Sequence, residues 1–426
     1  MLIPLIILFI ILIFFRFPIA LAVGLSCAGA IAFFSDIPMI VMVQRMVAGL
    51  DSFVLLAIPL FILTGNLMNT GGITDRLFSF ARGLVGHFRG GLGQANIIAS
   101  MIFSGMSGSA VADAGGLGAI EIKAMNDQGY PKGFSGAVTI ASSVIGPVIP
   151  PSIPMVLYGA LANVSVGRLF MGGIIPGVLV GISLMILVYM MSVKHNYPRD
   201  KRISFKEFLI RFEKAFLAAL TPVIILGGII SGIFTPTEAA AVAAIYAFAL
   251  SFFVYRTIKI KDIPKILLDT MITTAVVTFI ISNASSFSYL LLLGDISDKL
   301  LNALTAITMN RYVMLMILNI VLLFFGCVME AGVALILLVP ILVPLLNIVG
   351  IDLVHFGVVI TLNLMIGVAT PPIGMSLFVV SQISDMKVED LMRSILPFLI
   401  PLIIVLFIIT YIPILVTWIP NLVFGR

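Results

Sequence analysis

The stretch GPVIPPSIP, Gly146–Pro154, decides how this chain is read. It sets four prolines among nine residues, inside a run otherwise apolar enough to cross a membrane. Proline removes a backbone donor and clashes with the preceding helical turn. In hydrocarbon an unpartnered carbonyl costs several kcal/mol, so broken backbone is tolerated only where it packs on protein or lines a cavity. A span interrupted here needs a reason.

The surrounding composition supplies the context. Of 426 residues, 61% are hydrophobic and only 10% charged, and the mean hydropathy is +1.23. A soluble domain carries about a quarter charged residues. Apolar runs of membrane-crossing length recur throughout, which reads as an all-α polytopic membrane protein. A membrane barrel would instead show short alternating segments. The opening MLIPLIILFIILIFF lacks a basic leader and a small-residue cleavage site, so it reads as a retained first span. Cys27 and Cys327 both lie in apolar segments, and His87, His195 and His355 are scattered, so neither a disulfide framework nor a metal-ligand spacing is indicated. No phosphate-binding GxxxxGK[ST] loop is present, which argues against nucleotide-driven transport by this chain itself. The net charge of +5 fits basic cytoplasmic loops rather than nucleic acid as a partner.

Ten crossing segments are expected: 2–15, 17–34, 52–70, 134–160, 168–192, 216–233, 236–254, 267–293, 356–380 and 394–418. Two further apolar segments, 92–120 and 312–347, are interrupted at FSGMSGSAVADAGG and FFGCVMEAG. The loop KHNYPRDKRISFKEFLIRFEK, with seven Lys/Arg, is placed in the cytoplasm. Counting outward puts both termini outside, with 19 of the 24 Lys/Arg inside, provided that 92–120 and 312–347 are re-entrant hairpins.

A repeat supports this layout. At an offset of 221 residues Gly105 coincides with Gly326, Ala110 with Ala331, Gly146 with Gly367, Pro150 with Pro371 and Pro151 with Pro372. Each half then has five crossings, an odd number, so the halves are inverted. The expected division is a first repeat at 1–192, a linker at 193–215 and a second repeat at 216–426. Paired Gly/Pro-interrupted spans in inverted repeats are the pattern of secondary transporters. Near the first break lie the hydroxyls of Ser104, Ser107, Ser109, Ser142 and Ser143; near the second lie Thr361, Asn363 and Thr370. Hard cations take oxygen ligands, and unwound carbonyls add more. Asp113 and Glu330 are the acids nearest the hairpin tips. Each has a second reading: Asp113 at the wet edge of its hairpin, Glu330 facing an outer vestibule or carrying a proton. Thr235, Pro236 and Glu238 have the spacing of a helix start. SNASS at 282–286 reads as interhelical hydrogen bonding. Arg16 and Arg45, near span ends, either snorkel or meet an anion.

Five motifs carry a family resemblance: LLAIPLFILTGNLMNTGG (55–72), SGSAVADAGGLGAI (107–120), IGPVIPPSIPMVLYG (145–159), GIFTPTEAAAVAAIYA (232–247) and IGVATPPIGMSLFV (366–379). In order and across nearly the whole chain, they resemble the large membrane subunit of tripartite ATP-independent periplasmic (TRAP) transporters. The resemblance implies an elevator-type carrier, not an enzyme, in a bacterial inner membrane. It implies import of an organic acid, such as a C4-dicarboxylate, sialic acid or a related sugar acid, on a sodium gradient. The implied partners are a small membrane subunit, expected on a separate chain, and a periplasmic substrate-binding protein. One implied sodium site uses Ser104, Gly105, Ser109, Ser143 and Gly146; the other uses Gly326, Cys327, Met329, Gly367 and Thr370. Substrate is then expected between the tips, near Ser107, Asp113, Ser142, Pro150, Glu330, Thr361, Asn363 and Pro371. The alternative is a stand-alone carboxylate carrier coupled to sodium or protons.

Overall fold

The computed structural model describes residues 1–15, 17–296, 299, 308–371 and 374–425; for Ser107 it describes the backbone alone. Every regular element among them is helical: α1 (Leu2–Phe14), α2 (Ile19–Phe34), α3 (Met39–Ala48), α4 (Ala57–Thr70), α5 (Ile73–Val85), α6 (Gly91–Ser107), α7 (Ala110–Asp127), α8 (Lys132–Ser143), α9 (Ile153–Ala162), α10 (Val166–His195), α11 (Phe205–Ile230), α12 (Pro236–Ala249), α13 (Ile263–Leu293), α14 (Arg311–Val328), α15 (Ala331–Val349), α16 (Leu353–Val368), α17 (Met375–Ser384), α18 (Val388–Tyr411) and α19 (Ile414–Phe424). A 3₁₀ turn, Phe53–Leu56, leads into α4, and a π turn, Leu250–Val254, extends α12.

The helix starts follow local chemistry. Ser165, Ser204, Asn310 and Asp352 each accept a first-turn N–H at the heads of α10, α11, α14 and α16, each cap contributing about 1 kcal/mol. Thr235 and Glu238 form a full capping box with Pro236 at the first helical position of α12. The Ser run of α13 ties it to α3: Ser282 Oγ donates to the Met46 carbonyl (3.1 Å) and Ser286 Oγ to that of Met42 (2.9 Å).

Eight helices among the described residues are long and apolar enough to cross a membrane. Two of them, α14 and α15, are the arms of one hairpin. The other crossings expected from sequence are carried by α1 and α2, of 13 and 16 residues, and by two interrupted pairs, α8–α9 and α16–α17. Three features depart from the expected segments. The run 394–418 is not one helix: α18 ends at Tyr411 and α19 begins at Ile414, because Pro413 has no N–H to continue the ladder and constrains the residue before it. Helices α3 and α5 occupy stretches expected to be loops. In α5, Ile73, Leu77, Phe78, Ala81 and Val85 turn one buried face inward while Arg76 and Arg82 stand on the other, the pattern of a helix lying along a membrane surface.

The most buried helices are short and central. Every residue from Phe134 to Ser143 in α8 and from His355 to Val368 in α16 is buried. Around them, large apolar side chains of α1, α2, α13 and α18 stand exposed, as lipid-facing surface requires. The second half of each interrupted pair crosses over: α9 packs on α15, and α17 packs on α7.

Candidate functional site

Two hairpins, α6–α7 and α14–α15, turn at Gly108–Ser109 and Met329–Glu330. Gly108 has φ +61°, a left-handed conformation that glycine adopts without the Cβ penalty. Ser109 then caps α7, its Oγ accepting from Ala112 N–H (3.4 Å). In the second hairpin the Glu330 carboxylate caps α15, accepting from Val333 N–H (3.2 Å). The two caps lie one repeat apart, since 330 − 109 = 221. Each tip thus presents the N-terminal end of a helix, which favours negative charge, beside a preceding chain whose carbonyls favour cations.

Each hairpin meets the break of the following helix pair. The first tip lies on the 144–152 break: Ile153 N–H donates to the Gly108 carbonyl (3.4 Å). Pro150 and Pro151 are joined by a cis peptide. Ser152 donates to the Pro147 carbonyl and caps α9 through Met155 N–H (3.2 Å). Gly146 lies against the buried Asp113 carboxylate, and a Cβ there would overlap its Oδ2. Gly105 turns instead toward Pro222 of α11. Ser104 and Ser143 are buried, donating to the Met101 and Ile140 carbonyls (2.7 and 2.8 Å). A hydroxyl that donates its hydrogen keeps lone pairs for a cation.

The second site is built from backbone. Gly326 of α14 and Gly367 of α16 cross so closely that a Cβ on Gly326 would sit 3.0 Å from the Leu364 carbonyl oxygen. Cys327 lies in the last turn of α14, and Met329 is extended at its end. The helix then ends at 369–371, where Thr370 N–H donates to the Gly367 carbonyl and Thr370 Oγ1 to that of Ile366 (2.8 and 2.5 Å). Pro371 occupies the turn; Pro372 and the Ser107 side chain lie outside the described residues, as does Arg16.

Three sequence candidates serve the packing of these elements. Ser142 Oγ donates to Asn96 Oδ1 (2.7 Å), joining α8 to α6. Asn363 Nδ2 donates to Asn319 Oδ1 (2.8 Å), joining α16 to α14. Ser142 and Asn363 lie 221 residues apart (363 − 142), while their partners Asn96 and Asn319 lie 223 apart (319 − 96). Thr361 bonds within its own helix, to the Gly357 carbonyl.

One residue of the site escaped the reading of the sequence, and one pairing was hidden from it. Ser376, in the first turn of α17, is 1% exposed, and its Oγ has no hydrogen-bond partner among the described residues. A lone serine in an apolar stretch gives no signal of this, because the burial of its hydroxyl is decided only by tertiary packing. Arg45 has its guanidinium 3.9 Å over the Tyr289 ring. It lines a cavity of about 240 Å3 with Ser285, Ser288 and Ile336, between α3, α13 and the second hairpin. That pairing joins residues 244 apart (289 − 45) and has no local signature.

Comparison with known proteins places this geometry. The profile of a family described as tripartite ATP-independent periplasmic transporter, DctM component, matches residues 6–415. The chain is 48% identical over 382 residues to the sialic acid TRAP transporter large permease protein SiaM of Vibrio cholerae serotype O1, covering 90% of each chain. It is 40% identical over 400 residues to the C4-dicarboxylate TRAP transporter large permease protein DctM of Pseudomonas aeruginosa, covering 94% of each. Its fold is similar to that of the Alcanivorax borkumensis YdaH transporter, with a TM-score of 0.67 at 15% identity, over 94% of this chain and 97% of that one.

Proposed function

The chain belongs to the DctM-component family of tripartite ATP-independent periplasmic transporters, and we propose that it carries an organic acid inward on a sodium gradient. It is a transport subunit rather than an enzyme, and a multi-span protein of the bacterial inner membrane. The proposed orientation has both termini and the second hairpin opening to the periplasm, and the 196–204 connection in the cytoplasm. A periplasmic binding protein delivers the substrate, and a small membrane subunit completes the complex. The proposed substrate is a carboxylated sugar of the sialic acid class, a reading supported by the similarity to SiaM; a C4-dicarboxylate is the second class to test.

The observation that carries this reading is the packing of each interrupted helix on its own hairpin, Ile153 on Gly108 and Gly367 on Gly326. Such a pair holds unwound carbonyls beside a helix N-terminus in a buried setting, which suits a cation and a carboxylate together. Sodium is proposed to bind at Ser104, Ser109, Ser143 and Gly146, and again at Gly326, Met329, Gly367 and Thr370, chiefly through main-chain oxygens. The acid lies between the tips, near Pro150, Glu330 and Ser376, and the Asp113 carboxylate over Gly146 serves the first sodium site rather than the acid. Hairpins and interrupted helices are proposed to move as one body past the lipid-facing helices, which is the elevator motion.

The test is uptake of labelled sialic acid and labelled C4-dicarboxylates by liposomes containing the chain. Gradients of sodium or protons are applied, with and without the two partner subunits. Uptake that needs both sodium and the binding protein supports the proposal. Uptake by the chain alone identifies a stand-alone carrier, and uptake on a proton gradient alone overturns sodium coupling.

A further inference from the structure

A basic cavity lies far from the hairpin tips, where surface helix α5, the 196–204 connection and the start of α11 meet. Its volume is about 180 Å3, and Arg82, His87, Lys201, Arg211 and Asp200 line it. Three cations and the Asp200 carboxylate line it, and a second carboxylate, Glu207, pairs with Arg211.

Two of the cations are fixed in place. Arg82 Nε and Nη2 donate to the Asp200 carboxylate (2.7 and 3.1 Å), which also accepts from Gln128 Nε2 (3.0 Å). Arg211 donates to Glu207 Oε1 (2.5 Å) and to the Ser79 carbonyl (3.3 Å). A guanidinium has five N–H donors, so each arginine keeps donors to spare. Lys201 is exposed and makes no hydrogen bond or ion pair among the described residues. Exposed apolar side chains neighbour the lining residues in the chain: Phe205 (78%) and Leu209 (51%) on α11, and Leu84 and Phe88 next to Gly83 and His87.

Exposed apolar side chains on α5 and α11 put hydrocarbon next to these charges, which a soluble anion would not engage. A molecule with an anionic head and hydrocarbon tails uses both, and basic pockets at a membrane surface favour such headgroups by about 1 kcal/mol per Lys or Arg. We propose that this cavity holds the phosphate of an anionic phospholipid headgroup, with its acyl chains along Phe205 and Leu209. The site spans α5 and α11, so a bound lipid fastens the connection between the two halves of the chain to the membrane surface.

The experiment uses the purified full-length chain, delipidated in detergent and titrated with short-chain phosphatidylglycerol, phosphatidylcholine or inorganic phosphate. Binding is read by native mass spectrometry and by thermal shift. Phosphatidylglycerol is expected to bind and stabilise, phosphatidylcholine to bind far more weakly, and inorganic phosphate not to displace the lipid. Lys201→Gln is expected to weaken phosphatidylglycerol binding about fivefold, and its combination with Arg211→Gln about 25-fold. Arg82 is left intact because its ion pair holds α5 to the connection. Because Lys201 is exposed, the single variant tests the site even where the double variant does not fold. Equal binding of both lipids, unchanged affinity in Lys201→Gln, or displacement by inorganic phosphate overturns the proposal.

Discussion

Replacing Gly108 by alanine tests whether the first hairpin tip must seat on the broken helix. The residue sits at φ +61°, ψ 16°, where an L side chain costs about 1–2 kcal/mol. The added Cβ would lie 2.9 Å from the Pro151 carbonyl oxygen, 3.2 Å from Ile153 N and 3.4 Å from Ser152 Cα. All three atoms are main chain, so no side chain can rotate away. Overpacking of this kind costs about 1–3 kcal/mol. Together the two terms disfavour the seated tip by about 2–5 kcal/mol, and each 1.4 kcal/mol is tenfold in population. Gly350 provides the control: it has φ +72° with nothing within 4 Å of where a Cβ would stand, so its alanine variant bears backbone strain alone. Sodium-driven uptake in liposomes, normalised to monodisperse protein, is expected to fall at least tenfold in Gly108→Ala and to stay within about threefold in Gly350→Ala. Equal uptake by the two variants would show that contact between tip and break is not needed for transport, and the site argument would fail with it.

Ser376→Ala removes a buried hydroxyl that bonds to no group among the described residues, so thermal stability is expected to hold or rise slightly. If the oxygen serves a ligand, KM for the acid or the half-saturating sodium concentration rises about 5–12-fold; no change in either removes Ser376 from the site. Glu330→Gln keeps an acceptor oxygen near Val333 N–H while removing the charge. Sodium-driven uptake is expected to persist, with no proton-driven component in either protein. A proton-driven flux in the wild type that disappears in the variant would instead assign Glu330 to proton coupling. For Asp200, burial raises the carboxyl pKa, but hydrogen bonds from Arg82 and Gln128 and the charges of Arg82 and Arg211 outweigh it and hold it below the usual carboxylate range. A depressed carboxylate contributes stability above its unfolded pKa and loses it as pH falls through the folded value. For this part-exposed pair the contribution is about 0.2–1 kcal/mol. Limited proteolysis of the 196–204 connection is therefore expected to quicken as pH falls below about 4, and Asp200→Asn is expected to lose that pH dependence. A wild type cut at one rate across this range contradicts the anchoring role.

Much of the fold was legible because membrane burial imposes long apolar runs, and because proline and glycine punctuate them at one offset. The breaks at GPVIPP and GVATPP and the tips at Gly108 and Glu330 fall where those residues demand them. Helices α3 and α5 were not legible as helices, since a crossing-length window averages a short amphipathic helix together with its charged face. The division at Pro413 was missed for a related reason: apolarity continues across it, and only the missing N–H ends the helix. Within the site, Ser104 and Ser143 could be named from composition, but their hydrogen-bond states could not. Ser142 and Asn363 read as ligand candidates from the same composition, yet the structure gives both a helix-joining bond. The roles of Arg45 and Ser376 rest on surroundings that only tertiary packing decides.

The two hairpins place their charges differently, and this carries a last prediction. The cap position holds a hydroxyl at Ser109 and a carboxylate at Glu330. The first half has its acid one turn further on, at Asp113, directly over Gly146; the equivalent position in the second half, one repeat offset along, is Ala334. In the second half, Gly367 is met by the Gly326 main chain instead. A cation beside Gly146 therefore has a carboxylate next to it, whereas one beside Gly367 meets mainly neutral carbonyls. Taking the contact to be worth about as much as a hydrogen bond to a charged group, about 1.5–3 kcal/mol, it is worth roughly ten- to 150-fold in affinity. The first site is thus expected to bind sodium more tightly and to fill first. Asp113→Asn should raise the half-saturating sodium concentration at least tenfold and leave KM for the acid, measured at saturating sodium, within about threefold. Glu330→Gln should shift the sodium dependence less. If Asp113→Asn moves only the KM for the acid, the carboxylate acts on the substrate path rather than on the ion, and the assignment of the first site to sodium is wrong.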